Sequence, residues 1–224
     1  LDEIARANAH LLGGQSAAAL QLAEACLADE DTSAPVRLKA WLLVTEAHLQ
    51  GTTLENAFAA ATQAAAVAQQ QGDVASEAEA RSLRAAAAHR LGLARDAMDD
   101  AVAAMAQARA VGAGRVEALA LRTMSNFALE QDDEEEARRL LEESLACARR
   151  VGDDVCEFWA LNNLSNLLGI CAARIAGAGD IDGARPVVSE LKALVDEALA
   201  VAQRTGHGCS VPMRCLTSPM PTSC

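Results

Sequence analysis

The chain has 224 residues, 51% hydrophobic and only 2% aromatic, with a formal net charge of −12. That charge excludes a general binder of nucleic acid or anionic membrane, which needs a basic face, and no apolar run reaches the length of a membrane span. Alanine dominates the apolar set, which suits helices that approach closely through small side chains.

Taken in order, the predicted elements form helical hairpins. The first unit, about residues 1–32, is a helix ending near Gly13 and a second helix carrying Ala19, Ala23, Cys26 and Leu27 on one face. The second, about 33–73, has Pro35 where a first helical turn accepts it. It breaks near Gly51 and resumes with Ala57, Ala61, Ala64 and Ala65, and Thr52 with Glu55 has the pattern of a capping box. The third, about 74–113, breaks near Gly92 and continues with Ala97, Ala101, Ala104 and Met105. It places Arg81 and Arg84 where the next two units have Leu121, Met124, Leu161 and Leu164, so its first helix is expected to rotate and to pack through Leu83, Ala87 and Leu91.

The fourth unit, about 114–153, breaks near Asp132 and continues with Ala137, Leu141, Ser144 and Leu145. Its acidic run 132–136 opens a helix, which the macrodipole favours, and Asp133 with Glu136 forms a second capping-box pattern. Gly72, Gly112 and Gly152 are spaced by 40, as are Ala57, Ala97 and Ala137. The fifth unit, about 154–206, departs from this: Gly152 and Gly206 are 54 apart. Its turn reads GAGDIDGA, with Ala184 seven residues late, so each helix gains about seven residues, roughly 10 Å at 1.5 Å per residue. The hairpin tip is then expected to project beyond its neighbours, and Pro186 to sit in a first helical turn. After Gly206 the chain reads HGCSVPMRCLTSPMPTSC; residues 207–224 have no helical period and are expected to form an irregular, disordered tail. His207, Cys209, Cys215 and Cys224 match no standard zinc spacing. No segment alternates as a strand does.

No catalytic constellation, metal site or cofactor motif emerges. His10 and His48 fall at equivalent points of successive first helices and His89 one position off, which reads as packing between repeats. GAG at 112–114 and 177–179 lacks the strand and the full fingerprint of a dinucleotide loop. Cys26, Cys147, Cys156 and Cys171 read as buried free thiols, which points to a reducing cytoplasm. The chain opens without Met and is read as a piece of a longer protein.

Paired helices, the small-residue signature and the stretch ALNNLSNLL (160–168) are similar to tetratricopeptide repeats (TPR), in the extended 40-residue form of bacterial signalling and regulatory proteins and of kinesin light chains. The resemblance covers about residues 1–206. It implies an all-α, right-handed superhelical solenoid of antiparallel helix pairs, about five hairpins, whose first helices line a concave side. Three ladders on the first helices are then candidate contacts: Asn8, Glu46, Ala86, Asn126, Asn166; Ala5, Leu43, Leu83, Thr123, Asn163; and Ile4, Leu42, Ser82, Arg122, Asn162. Their polar part gathers in the fourth and fifth units, so Arg122, Thr123, Asn126, Trp159, Asn162, Asn163 and Asn166 are the candidate partner-binding residues. Arg122, Asn126 and Asn163 resemble two-thirds of the clamp by which some members hold a C-terminal carboxylate.

Two readings of the asparagines stay open: hydrogen bonding within the array, or the grip of an extended backbone that needs both donor and acceptor. The expected function is non-catalytic protein–protein interaction, with a peptide or partner domain on the concave face, in a regulatory segment of a larger bacterial signalling protein. The alternative is a scaffold that self-associates into a homo-oligomer through its terminal repeat. Neither nucleic acid nor membrane is an expected partner.

Overall fold

Each glycine of the 40-residue series ends a helix in the left-handed region, at φ 67°, 71° and 69° for Gly72, Gly112 and Gly152. The next residue's N–H then reaches back to a carbonyl of the last turn: Asp73 to Ala68 at 3.0 Å, Ala113 to Ala108 at 2.8 Å, Asp153 to Ala148 at 3.0 Å. This Schellman closure satisfies orphan carbonyls and favours a residue without a Cβ penalty, hence the recurring glycine. A new helix opens two residues after each of these glycines. The first helices of units two to five begin at Ala34, Val74, Gly114 and Asp154, and the second helices of units two to four at Leu54, Ala94 and Glu134.

The computed structural model describes residues 2–204; expectations for residues 207–224, including His207, Cys209, Cys215 and Cys224, lie outside them. Among the described residues there are ten helices and no strand: α1 (Asp2–Leu12), α2 (Ser16–Ala28), α3 (Ala34–Gly51), α4 (Leu54–Gln71), α5 (Val74–Arg90), α6 (Ala94–Val111), α7 (Gly114–Glu130), α8 (Glu134–Val151), α9 (Asp154–Gly177) and α10 (Ile181–Arg204). Consecutive helices pack together throughout. The backbones of successive odd-numbered helices also approach one another, from α1–α3 to α7–α9, whereas even-numbered neighbours meet only through long side chains, as in Arg109–Glu143 and Arg138–Glu190. The odd helices therefore form the inner layer of a solenoid of five antiparallel pairs.

Caps refine the expected starts. Asp73, Asp133 and Asp153 accept the N–H of Ser76, Glu136 and Cys156 at 3.1, 3.0 and 2.8 Å. The Asp133 box is only half made, since the Glu136 carboxylate turns to Arg139 at 2.6 Å. The Thr52–Glu55 box is not formed: Thr52 takes the left-handed φ of 69° that closes α3, and the cap position falls to Thr53, without a side-chain bond to the helix end. Asp73 also accepts from Ser76 Oγ at 2.7 Å, and these bonds hold its carboxyl below the usual range. Asp73→Ala is expected to lose about 1 kcal/mol in urea denaturation. Because the folded-state pKa is depressed, this loss is full near neutral pH and shrinks as pH falls through the folded pKa.

His10 and His48, both half-buried, each brace their own hairpin turn, His10 with Gln15 and His48 Nδ1 with Thr53 Oγ1 at 2.7 Å. His89 lies at the repeat junction, edge-on to Phe127 at 4.8 Å and 3.0 Å from Glu130.

The apolar core is split. One cluster joins α1–α4 through Ile4, Leu11, Leu43 and Val44, and a larger one joins α7–α10 through Leu121, Leu140, Leu141, Leu161 and Leu164. Between them, α5 has not rotated. Ala85, Ala87 and Ala88 are buried in the register of Ser125, Phe127 and Ala128 one unit on, and Leu83 in that of Thr123. Arg81 and Arg84 stay at the leucine positions because α6 supplies Asp100, 7% exposed, at the position of Leu140. Arg84 binds it through two bonds of 2.6 Å, Arg81 lies 3.6 Å away, and Arg81 also holds Glu77 at 2.9 Å.

In the last pair, α9 and α10 have 24 residues each, against 17 or 18 in α3–α8. Between Ala172 and Ala198 only Ala184 is buried, and Ile170, Ile181 and Val188 are at least half exposed, so the extension has little apolar packing and meets α8 through the Arg174–Glu134 and Arg138–Glu190 ion pairs. Pro186 lies inside α10 rather than in its first turn, because the helix already starts at Ile181. A proline there leaves one helical carbonyl without its donor.

Candidate functional site

The inner layer presents its ladders unequally. Glu46, Ala86, Asn126 and Asn166 are all half-buried at one register, with Asn8 exposed at the end, so this ladder faces the concave side. The second ladder turns into the repeat junction in units two to four, where Leu43, Leu83 and Thr123 are buried; at its ends Ala5 is exposed and Asn163 half-open. Thr123 is 3% exposed and its hydroxyl donates to the Leu119 carbonyl at 3.2 Å, so it drops out of the surface set. The Ser125 and Ser165 hydroxyls are likewise turned back onto their own helices, at Arg122 and Leu161.

The remaining candidates gather on α7 and α9. Arg122 lies 5.8 Å from the centroid of the Trp159 ring, within cation–π range. Trp159 is 36% exposed and meets Phe158 edge-on at 5.5 Å. Arg122 is half-buried and forms neither an ion pair nor a hydrogen bond with any described side chain; burial lowers its pKa. Asn126 and Asn166 leave their amides unbonded to any described residue. Asn162 donates to Asn163 Oδ1 at 3.5 Å, the outer limit of a hydrogen bond.

Beside this group lies a charge cluster that repeat spacing does not disclose. Arg115 of α7 reaches Glu46 of α3 at 3.1 Å, Glu79 of α5 at 3.7 Å, and Asp153 before α9 at 3.2 Å. Burial is the main cause raising the pKa of both glutamates, against the pull of Arg115. The three acids in turn hold Arg115 above its ordinary value, against its own burial. The two directions agree once the sharing is seen: one cation gains three partners, while each acid gains a share of one cation. Burial, then Asp153, pushes the neighbouring Cys156 thiol up to about 12, so it is neutral and unreactive at physiological pH. An open cleft of about 550 Å³ adjoins Arg115, walled by Leu12 on one side and Val151, Gly152, Asp153, Asp154 and Val155 on the other.

Among the described residues no group of three or more His, Cys, Asp or Glu side chains is placed to hold a metal ion, and no helix is long and apolar enough to cross a membrane. Cys26, Cys147, Cys156 and Cys171 are free thiols, the first three buried.

The architecture defined by these paired helices and their inner layer is that of TPR-like helical repeat proteins. No family model matches the chain, and no curated protein matches it in sequence. Solved structures do share its fold. A Podosopora anserina protein of the kinesin light chain kind, with nearly identical TPR-like repeats, aligns at TM-score 0.56 and 16% identity over 88% of this chain and 94% of its own. BtubC (BKLC) from P. vanneervenii aligns at TM-score 0.54 and 13% identity over 99% and 98%. At these identities the likeness establishes the fold alone.

Proposed function

We propose that the inner face of α7 and α9 docks an extended segment of a partner protein, without catalysis. The observation that carries this is Arg122: a half-buried guanidinium over Trp159 with no paired anion among the described residues. A desolvated charge is costly unless paired, and a carboxylate brought by a partner supplies charge-assisted bonds to it. Asn126 and Asn166, with their unbonded amides, supply donor and acceptor for the partner's backbone. Asn162, Asn163 and the exposed edge of Trp159 complete the surface. We read the array as a cytoplasmic regulatory segment of a larger bacterial protein.

Peptides ending in a free carboxylate, titrated against amidated versions of the same sequences, test this through Trp159 fluorescence and calorimetry. Arg122→Ala is expected to weaken the free-acid peptides at least about tenfold, near 1.4 kcal/mol, and to leave the amidated ones nearly unchanged. Asn126→Ala with Asn166→Ala weakens both while helicity and melting hold. Loss of stability with binding untouched makes the amides structural and removes the proposal.

A second reading is favoured by α10. In α8, Leu140, Leu141 and Leu145 are buried under α9. Their counterparts before Gly206 are Leu194, Val195 and Leu199; the first two are half-open and Leu199 is 48% exposed. That face would support self-association, which sedimentation across concentration detects; Leu199→Lys is then expected to shift the chain to monomer.

A further inference from the structure

Stacked hairpins ordinarily contact only their nearest neighbours, so the curvature of such an array is the sum of local interfaces. One ion pair breaks that rule. Glu46 of α3 and Arg115 of α7 belong to hairpins two apart, and α3 and α7 share no backbone approach. The same guanidinium takes Glu79 from the hairpin between them and Asp153 from the far side, so one side chain is tied to three elements along the concave face.

The hairpin spanned by this link has the least apolar core. Its centre is the Arg84–Asp100 pair, and the clusters around it consist mostly of alanine with a few partners such as Val116 and Phe127. The two larger clusters lie on either side, in α1–α4 and α7–α10. The cleft beside Arg115 has its walls on opposite sides of this middle hairpin: Leu12 ends α1, and residues 151–155 join α8 to α9. A small change of angle at α5–α6 therefore changes the width of the cleft directly.

From these observations we infer that Arg115, through Glu46, is a latch that sets the curvature of the array and hence the width of its concave cleft. α5–α6 is the joint, the two apolar clusters are the bodies it connects, and the Arg115–Glu46 pair holds them together at the inner side. Release of the latch opens the array without unfolding a helix. This holds whether or not a peptide docks at Arg122, because it concerns contacts within the chain.

Small-angle scattering of the full chain tests the latch. Arg115→Met keeps the length of the side chain and removes its charge; Glu46→Leu removes the other partner. Each is expected to raise the radius of gyration and maximum dimension relative to the wild type, with helicity by circular dichroism unchanged. The double variant is expected to expand no further than Arg115→Met alone, since both changes cut one contact. Scattering curves that superpose on the wild type with helicity retained overturn the inference. So do expansions that add, which would mean separate effects. If Arg115→Met fails to fold, Glu46→Leu decides between the same outcomes.

Discussion

Asp100→Ala is expected to destabilise the chain by about 3 kcal/mol, the lower end of the range for removing one partner of a buried ion pair. Asp100 is 7% exposed and takes both bonds of the Arg84 guanidinium, with Arg81 close by. Its loss leaves two cations side by side where the next unit has Leu121 and Met124. For a chain of this size the expected fall in melting temperature is about 6–12 °C. Replacing the whole group gives the opposite sign. Arg81→Leu, Arg84→Met and Asp100→Leu together copy Leu121, Met124 and Leu140 of the next hairpin, and Glu77→Gln is added so that the carboxylate held by Arg81 is not orphaned. A set without buried charge is neutral to stabilising by about 1–4 kcal/mol, because it removes the desolvation cost of all four charges. Thermal and urea denaturation of the single and quadruple variants measure both effects. A single variant that melts with the wild type shows the pair to be water-solvated in practice.

The same hairpin marks the boundary of what a sequence discloses. Glycines at a spacing of 40 carry the period because a left-handed helix end tolerates them best, and the 14 surplus residues before Gly206 appear as two helices of 24. Those features are local or additive along the chain. The arginines of α5 suggest a rotated helix only while their partner is sought on the same helix; Asp100 lies on α6, and its role is visible only when the two helices are packed. The Asn ladders are legible as a pattern, but their facing is not. Residues three apart, such as Thr123 and Asn126, diverge between a repeat junction and the open face. Arg115 gives no signal at all. Its partners Glu46, Glu79 and Asp153 stand at steps of 69, 36 and 38, so superhelical twist brings together residues that a ladder of 40 separates.

Glu46→Gln combined with Glu79→Gln is expected to raise stability near pH 8, although it dismantles part of an ion-pair network. The direction follows from linkage. Burial raises the pKa of both glutamates above the unfolded values, so between the two values the folded chain binds more protons, and its stability rises as pH falls. Above the folded pKa values each ionised glutamate carries a net cost, which the amide removes. The gain should therefore be largest in mild alkali, decline as pH falls through the folded pKa values, and vanish near the ordinary carboxylate range of about 4.3. Denaturation of both proteins at several pH values gives the curve. Arg115 keeps Asp153 at 3.2 Å and is not left alone in the variant. A loss of stability at pH 8 instead would mean that pairing with Arg115 outweighs burial. A gain means that burial outweighs pairing when these glutamates are ionised, so the contacts that reach across the middle hairpin are not needed for folding.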